Sequence, residues 1–108
     1  MINLDMVGSA EEMPLFIAVP EDSPSDMKTL RDSFAVLADE LGIAYEAGIG
    51  GGSDHQSFAN MYVSSVLLNH PDFKNGYHSP NDTIEDISGE RLEEVVRLVL
   101  YYVEKNAY

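Results

Sequence analysis

Residues 15–47 read LFIAVPEDSPSDMKTLRDSFAVLADELGIAYEA, and they set the class of fold. Leu15 to Val19 is an unbroken apolar run closed by Pro20, the mark of a well-buried strand. An acidic, Ser- and Pro-rich loop from Glu21 to Asp26 follows. From about Asp26 to Leu41 the apolar residues Met27, Leu30, Phe34, Leu37, Ala38 and Leu41 recur at steps of three and four, and Gly42 stops the period. That spacing predicts an amphipathic helix with Lys28, Arg31, Asp32, Asp39 and Glu40 on its wet face. Ile43 to Ala47 then reads as a strand after a tight connection. Strand, helix, strand is a crossover unit, so the two strands should lie parallel.

On the N-terminal side, Ile2 to Val7 alternates, with Ile2, Leu4 and Met6 facing one way, and Gly8-Ser9 ends it. Asp5 stands near the carboxyl end of this strand, outside which ligands of open α/β sheets collect. It equally suits a solvated sheet face. On the C-terminal side, Gly48 to Gly52 holds four glycines in five positions. Neither a Walker pattern nor a spaced Gly-x-Gly-x-x-Gly is present, which removes a nucleotide site and leaves tight backbone turns as the use of these residues. Ser53 or Asp54 can N-cap a short helix expected to carry Phe58 and Met61 inward. Val63 to Leu68 reads as a fourth, central strand. Asn69 to Asp82 reads as an irregular loop with Pro71, Gly76 and Pro80. After the Thr83 to Ile87 connection, Ser88 caps a last helix with a wide apolar stripe of Leu92, Val95, Val96, Val99, Leu100 and Val103.

The 108 residues suffice for one domain. Six basic against nineteen acidic side chains give a formal charge of −13, which repels nucleic acid and anionic membrane surfaces and favours cationic or amine-bearing ligands or simple solubility. No apolar run approaches the roughly 20 residues of a membrane span, and the first residues lack the basic start of a signal peptide. With no cysteine, a disulfide framework, a thiolate metal site and a Cys nucleophile are all ruled out.

From the residues alone, three histidines and several acids near turns permit a divalent metal site, since imidazole and carboxylate are ordinary zinc ligands. No His-Glu-x-x-His is present, and such histidines serve equally as hydrogen-bonded structural residues. Ser53, Asp54 and His55 are too close on one turn to converge as a triad, and no Gly-x-Ser-x-Gly elbow accompanies them.

Three segments together carry more information: Asn3-Leu4-Asp5-Met6-Val7-Gly8, Ser53-Asp54-His55-Gln56-Ser57-Phe58 and Tyr77-His78-Ser79-Pro80-Asn81-Asp82-Thr83. In order and rough separation the chain resembles the C-terminal half of the catalytic domain of co-catalytic zinc aminopeptidases, of the bacterial leucyl aminopeptidase and aminopeptidase Y kind. The resemblance implies an α/β fold, a three-layer α/β/α arrangement around a mixed sheet of about four strands. The first and fourth strands would pair in parallel, with the second and third opposite to them. It implies that Asp5 and His78 each ligate one of two zinc ions, and that the Tyr77 hydroxyl donates to the oxyanion of the tetrahedral intermediate. Asp54 and His55 would orient ligands rather than bind metal, and Asp82 would steady the His78 loop. For these three, N-capping and turn hydrogen bonds are an equal alternative. Peptides would be the substrates, and members of the family are often secreted or periplasmic.

The remaining ligands and the glutamate base of that family precede the Asn-x-Asp strand, and no counterpart stands in this sequence. Residues 1–108 are therefore expected to be one truncated domain, the C-terminal half of a peptidase, with little turnover alone. An uncovered sheet edge and apolar face beside Ile2 to Val7 should invite a homodimer. Two other readings stay open: a non-catalytic α/β binding or assembly module with a remnant metal site, and a glutaminyl cyclase-like enzyme.

Overall fold

The computed structural model describes residues 1–73 and 77–106. In chain order its elements are β1 (Ile2–Asp5), β2 (Leu15–Val19), α1 (Ser25–Leu41), β3 (Tyr45–Ile49), α2 (Asp54–Asn60), β4 (Val66–Asn69), a 3-10 turn at Ile84–Asp86, and α3 (Gly89–Asn106). The four strands form one mixed sheet in the order β1-β4-β2-β3. β1 pairs with β4 in parallel, β2 with β3 in parallel, and β2 with β4 antiparallel. The crossover through α1 and the opposed directions of the two strand pairs are as the sequence implies.

Because side chains alternate across a pleated strand, each face of the sheet has its own list. Ile2, Val66, Leu68, Ile17 and Leu15 share the face covered by α1 and α3, where they meet Phe34, Leu37, Ala38, Val95 and Leu98 in one core. Phe34 also stacks on Tyr102 at 4.3 Å between centroids. Each such buried aliphatic or aromatic side chain contributes roughly 1.5–3 kcal/mol through burial. Asn3, Asp5, Leu67, Asn69, Ala18 and Phe16 occupy the other face by register, and α2 lies over part of it, with Asn3 hydrogen-bonded to Ser53 and near His55. The result is the expected three-layer α/β/α arrangement.

The elements end where local chemistry stops them. Gly42, at φ 72°, closes α1 with the Ile43 amide on the Ala38 carbonyl and its own amide on the Asp39 carbonyl, a Schellman motif. That motif consumes Ile43, which is buried in the core, so β3 begins at Tyr45 rather than at Ile43. Ser88 accepts the Arg91 amide and caps α3 as expected. β1 stops at Asp5 because Met6 adopts φ 57°, outside strand geometry.

Three further expectations need correction. Phe58 and Met61 point outward, at 45% and 75% exposure, because α2 is two turns long and turns His55, fully buried, toward the sheet. The fourth strand runs Val66–Asn69 rather than 63–68, since Met61 to Val63 are spent on the turn that leaves α2. Val96 and Leu100 lie on the exposed flank of α3, so its buried stripe is narrower than the periodicity suggested. Part of the expected 69–82 loop, Lys74 to Gly76, lies outside the described residues.

Leu68 sits at the centre of β4 with no exposed surface. Leu68→Ala should cost about 2–5 kcal/mol in urea unfolding, whereas Val36→Ser, on the exposed face of α1, should change stability by no more than about 0.5 kcal/mol.

Candidate functional site

The parallel pairing of β1 and β4 brings their carboxyl ends side by side, with Asp5 opposite Asn69. The chain leaving each strand has to turn away there, and the turns build a pocket. Asn69 Nδ2 donates to the Asp5 carbonyl at 3.0 Å, and the His70 amide donates to the Met6 carbonyl at 3.3 Å. Gly8 adopts φ 91°, and a Cβ there would sit 2.5 Å from Leu92 Cδ2, so only glycine fits between the turn and α3. Its carbonyl accepts the Ser88 amide, and the Ala10 amide donates to the Asp86 carbonyl. The connection before α3 is thereby stitched along residues 8–10 and forms one wall.

The pocket is a cavity of about 300 Å³ whose lining includes Asp5, Met6, Gly52, Tyr77, His78 and Asp82. Asp5 and His78, 73 positions apart in the sequence, thus face one space. Asp72 and Asp86 also line it, so its charge is strongly negative. His78 holds φ 54°, a left-handed conformation uncommon for a residue with a Cβ, and its ring stacks on Tyr77 at 3.9 Å. Tyr77 in turn meets Phe73 edge-on at 4.7 Å. Aromatic packing therefore holds the His78 loop beside the pocket.

The other sequence candidates fall elsewhere. Asp54 is exposed in the first turn of α2 and lies off the pocket lining. His55 is buried beneath the sheet, with Nε2 2.7 Å from the Gly50 carbonyl and Nδ1 3.4 Å from Asn3 Nδ2. Ser53 holds the N-cap position of α2 without capping it. Its hydroxyl accepts from Asn3 Nδ2 at 2.8 Å and donates to Asp5 Oδ2 at 2.5 Å.

Several residues of the site went unread in the sequence. Asn3 carried a legible signal, since it lies two positions before Asp5 on the same strand face. Asp72, held by the Ser9 hydroxyl at 2.7 Å, and Asp86 carried none, because loops bring them in. His70 is the other omission. Its Nδ1 accepts the Gly8 amide at 2.8 Å, and burial, with the Arg91 guanidinium in second place, pushes its pKa down to about 4.

Carboxylate and imidazole are the right donors for zinc. Among the described residues no hydrogen bond blocks Asp5 Oδ1, and His78 is exposed at the lining. These two side chains fit a partial ligand set and no more. Among the described residues no three His, Asp or Glu groups are placed to hold a metal ion.

Comparison with known proteins bears directly on this arrangement. A model of peptidase family M28 matches residues 1–103. The chain belongs to that family. Among solved structures, an aminopeptidase from Aneurinibacillus sp. strain AM-1 is 34% identical over 92% of this chain, with a TM-score of 0.77. BSAP, a zinc aminopeptidase from Bacillus subtilis, is 29% identical over 94% of the chain, with a TM-score of 0.74. This M28 chain spans 23% and 27% of those two proteins, about a quarter of their length. No curated protein sequence matches it.

The neutral, buried His70 makes the M28 chain acid-sensitive. The unfolded chain takes up a proton near pH 6.5, while the folded one resists until about pH 4. Stability from this group is complete above pH 6.5, falls as pH drops through that window and then levels. Urea midpoints measured from pH 7.5 to 4 should decline for the wild type, and His70→Asn should flatten part of that slope.

Proposed function

We propose that this chain is the portion of a zinc aminopeptidase, of the bacterial leucyl aminopeptidase and aminopeptidase Y kind, that carries one ligand for each of two zinc ions. Asp5 supplies the carboxylate and His78 the imidazole. The observation that carries this reading is that these two side chains, far apart in the sequence, line a single pocket at the carboxyl edge of β1 and β4. Family membership and the solved zinc aminopeptidase support the choice of metal.

Zinc, when bound, polarises a carbonyl and makes water nucleophilic near neutral pH. The chain's own residues do the rest of what can be assigned here. The carboxylates of Asp72, Asp82 and Asp86 give the pocket a field that suits the protonated amino terminus of a peptide. Tyr77, at the lining and stacked on His78, is the donor for an oxyanion. Asp82 belongs to the turn after His78, where its amide donates to the Ser79 carbonyl, and it steadies that loop.

Two donors do not hold two ions, and the chain matches about a quarter of its solved relatives. We therefore read residues 1–108 as part of a peptidase catalytic unit, with little turnover by themselves. β1 is an edge strand whose Leu4 is 46% exposed, and a free edge with apolar flanks invites a second copy. The incomplete ligand set also favours a second reading, an assembly module that keeps a remnant site.

Isothermal calorimetry with zinc separates the two readings. A retained site predicts binding that weakens at least tenfold in both Asp5→Ala and His78→Ala, while absence of binding leaves the module. Purified chain should release no amino acid from aminoacyl-nitroanilides, and chelator-sensitive release would contradict the inactive reading. Light scattering should give a dimer mass that grows with ionic strength as the like charges are screened, and a monomer at every concentration would remove the edge-pairing claim.

A further inference from the structure

We propose that His55 is a positioning residue for Asp5: its Nδ1 accepts one Asn3 amide proton and so holds the other toward Ser53, whose hydroxyl donates to Asp5 Oδ2. The inference rests on the reading of Asp5 as metal-facing for its purpose, though not for its geometry.

The direction of every bond follows from what each atom is able to do. The Gly50 carbonyl only accepts, so His55 Nε2, 2.7 Å away, carries a proton. His55 has no exposed surface, and its Nδ1 faces the Asn3 side chain at 3.4 Å. A carboxylate oxygen only accepts, so the single Ser53 proton goes to Asp5 Oδ2, 2.5 Å away, and Ser53 Oγ must accept from Asn3. This fixes the Asn3 amide with Nδ2 toward Ser53 and His55, because turning it over would place Oδ1 against the Ser53 oxygen. Facing that Nδ2 donor, His55 Nδ1 is bare and accepts. The two Nδ2 protons of Asn3 are then committed, one to His55 Nδ1 and one to Ser53 Oγ at 2.8 Å.

The consequence falls on Asp5. One oxygen of its carboxylate is held by Ser53, whose own partner Asn3 is held by His55, and Oδ1 is the oxygen left for the pocket. Asn3 is 8% exposed, so water competes poorly for these groups. This network explains why an imidazole sits where an apolar side chain would pack beneath the sheet: an apolar residue would leave the Gly50 carbonyl without its His55 partner and the Asn3 amide one acceptor short.

Long-range proton–nitrogen NMR of labelled, metal-free protein tests the chain directly. The expected result is a proton on His55 Nε2, a bare Nδ1, and a scalar coupling across the bond between Asn3 Nδ2 and His55 Nδ1. A proton on Nδ1 overturns the proposal, whether or not the protein takes up metal. His55→Leu removes the acceptor for Asn3, and its crystal structure should show the Ser53–Asp5 contact opened beyond 3.5 Å. An unchanged contact in folded His55→Leu also overturns it, and the tautomer measurement on the unmutated protein decides should that variant fail to fold. Where the wild type binds zinc, His55→Leu and Ser53→Ala should each weaken binding about tenfold, and the double variant no further. Additive losses would contradict a shared route. Failure of the wild type to bind zinc would remove the metal reading while the tautomer result stands on its own.

Discussion

The pairing of Asp5 with Asn69 across β1 and β4 governs everything at this end of the molecule. Both strands run the same way, so both leave the sheet at one edge, while β2 runs against β4 and ends on the other side. The turns after β1 and β4, together with the connection before α3, have nowhere else to gather. A slip of one residue in this register would exchange the faces of β1, sending Asp5 among the core side chains of α1 and α3 and Leu4 toward Ser53. The apolar alternation of Ile2 against Val66 and of Leu68 against Ile17 forbids it.

The two faces of the sheet pose different energetic problems. Beneath α1 and α3 the solution is apolar packing of aliphatic side chains on Phe34. Beneath α2 the solution is polar. His55, Ser65 and Asn3 are buried there, and each has a partner, the Ser65 hydroxyl donating to the His55 carbonyl at 2.9 Å. Such a network is worth little more than an apolar patch when complete, but a single missing member costs about 1–3 kcal/mol. That asymmetry fixes side-chain orientation, which suits a site better than a core. His70 extends the same logic past the end of β4, where burial keeps its ring neutral and available to accept the Gly8 amide.

Much of this was legible in the sequence because it is local or periodic. The run Leu15 to Val19, the helical steps from Met27 to Leu41 and the Gly42 stop appear where the pattern placed them. The errors share a cause. Periodicity reports which residues are apolar, not which of them find a neighbour, so Phe58, Met61, Val96 and Leu100 read as inward yet stand exposed. Strand ends shifted where backbone motifs claimed residues first, as the helix cap did with Ile43. At the site, Asp5 and His78 were marked by resemblance to a family, not by spacing. Asp72, Asp86 and His70 are contributed by long-range loop packing, which has no period to read. Ser53 was marked for the wrong task, since its N-cap position is real but its hydroxyl serves Asp5.

One claim bears the weight of the functional account: the pocket between Asp5 and His78 is a place where zinc binds. Crystals of the chain soaked in zinc, with anomalous data collected at the zinc edge, test it most directly. The account predicts a peak in the pocket, about 2.0–2.2 Å from Asp5 Oδ1 or from a ring nitrogen of His78. Anomalous density confined to other surface carboxylates, with the pocket empty at saturating metal, would contradict it.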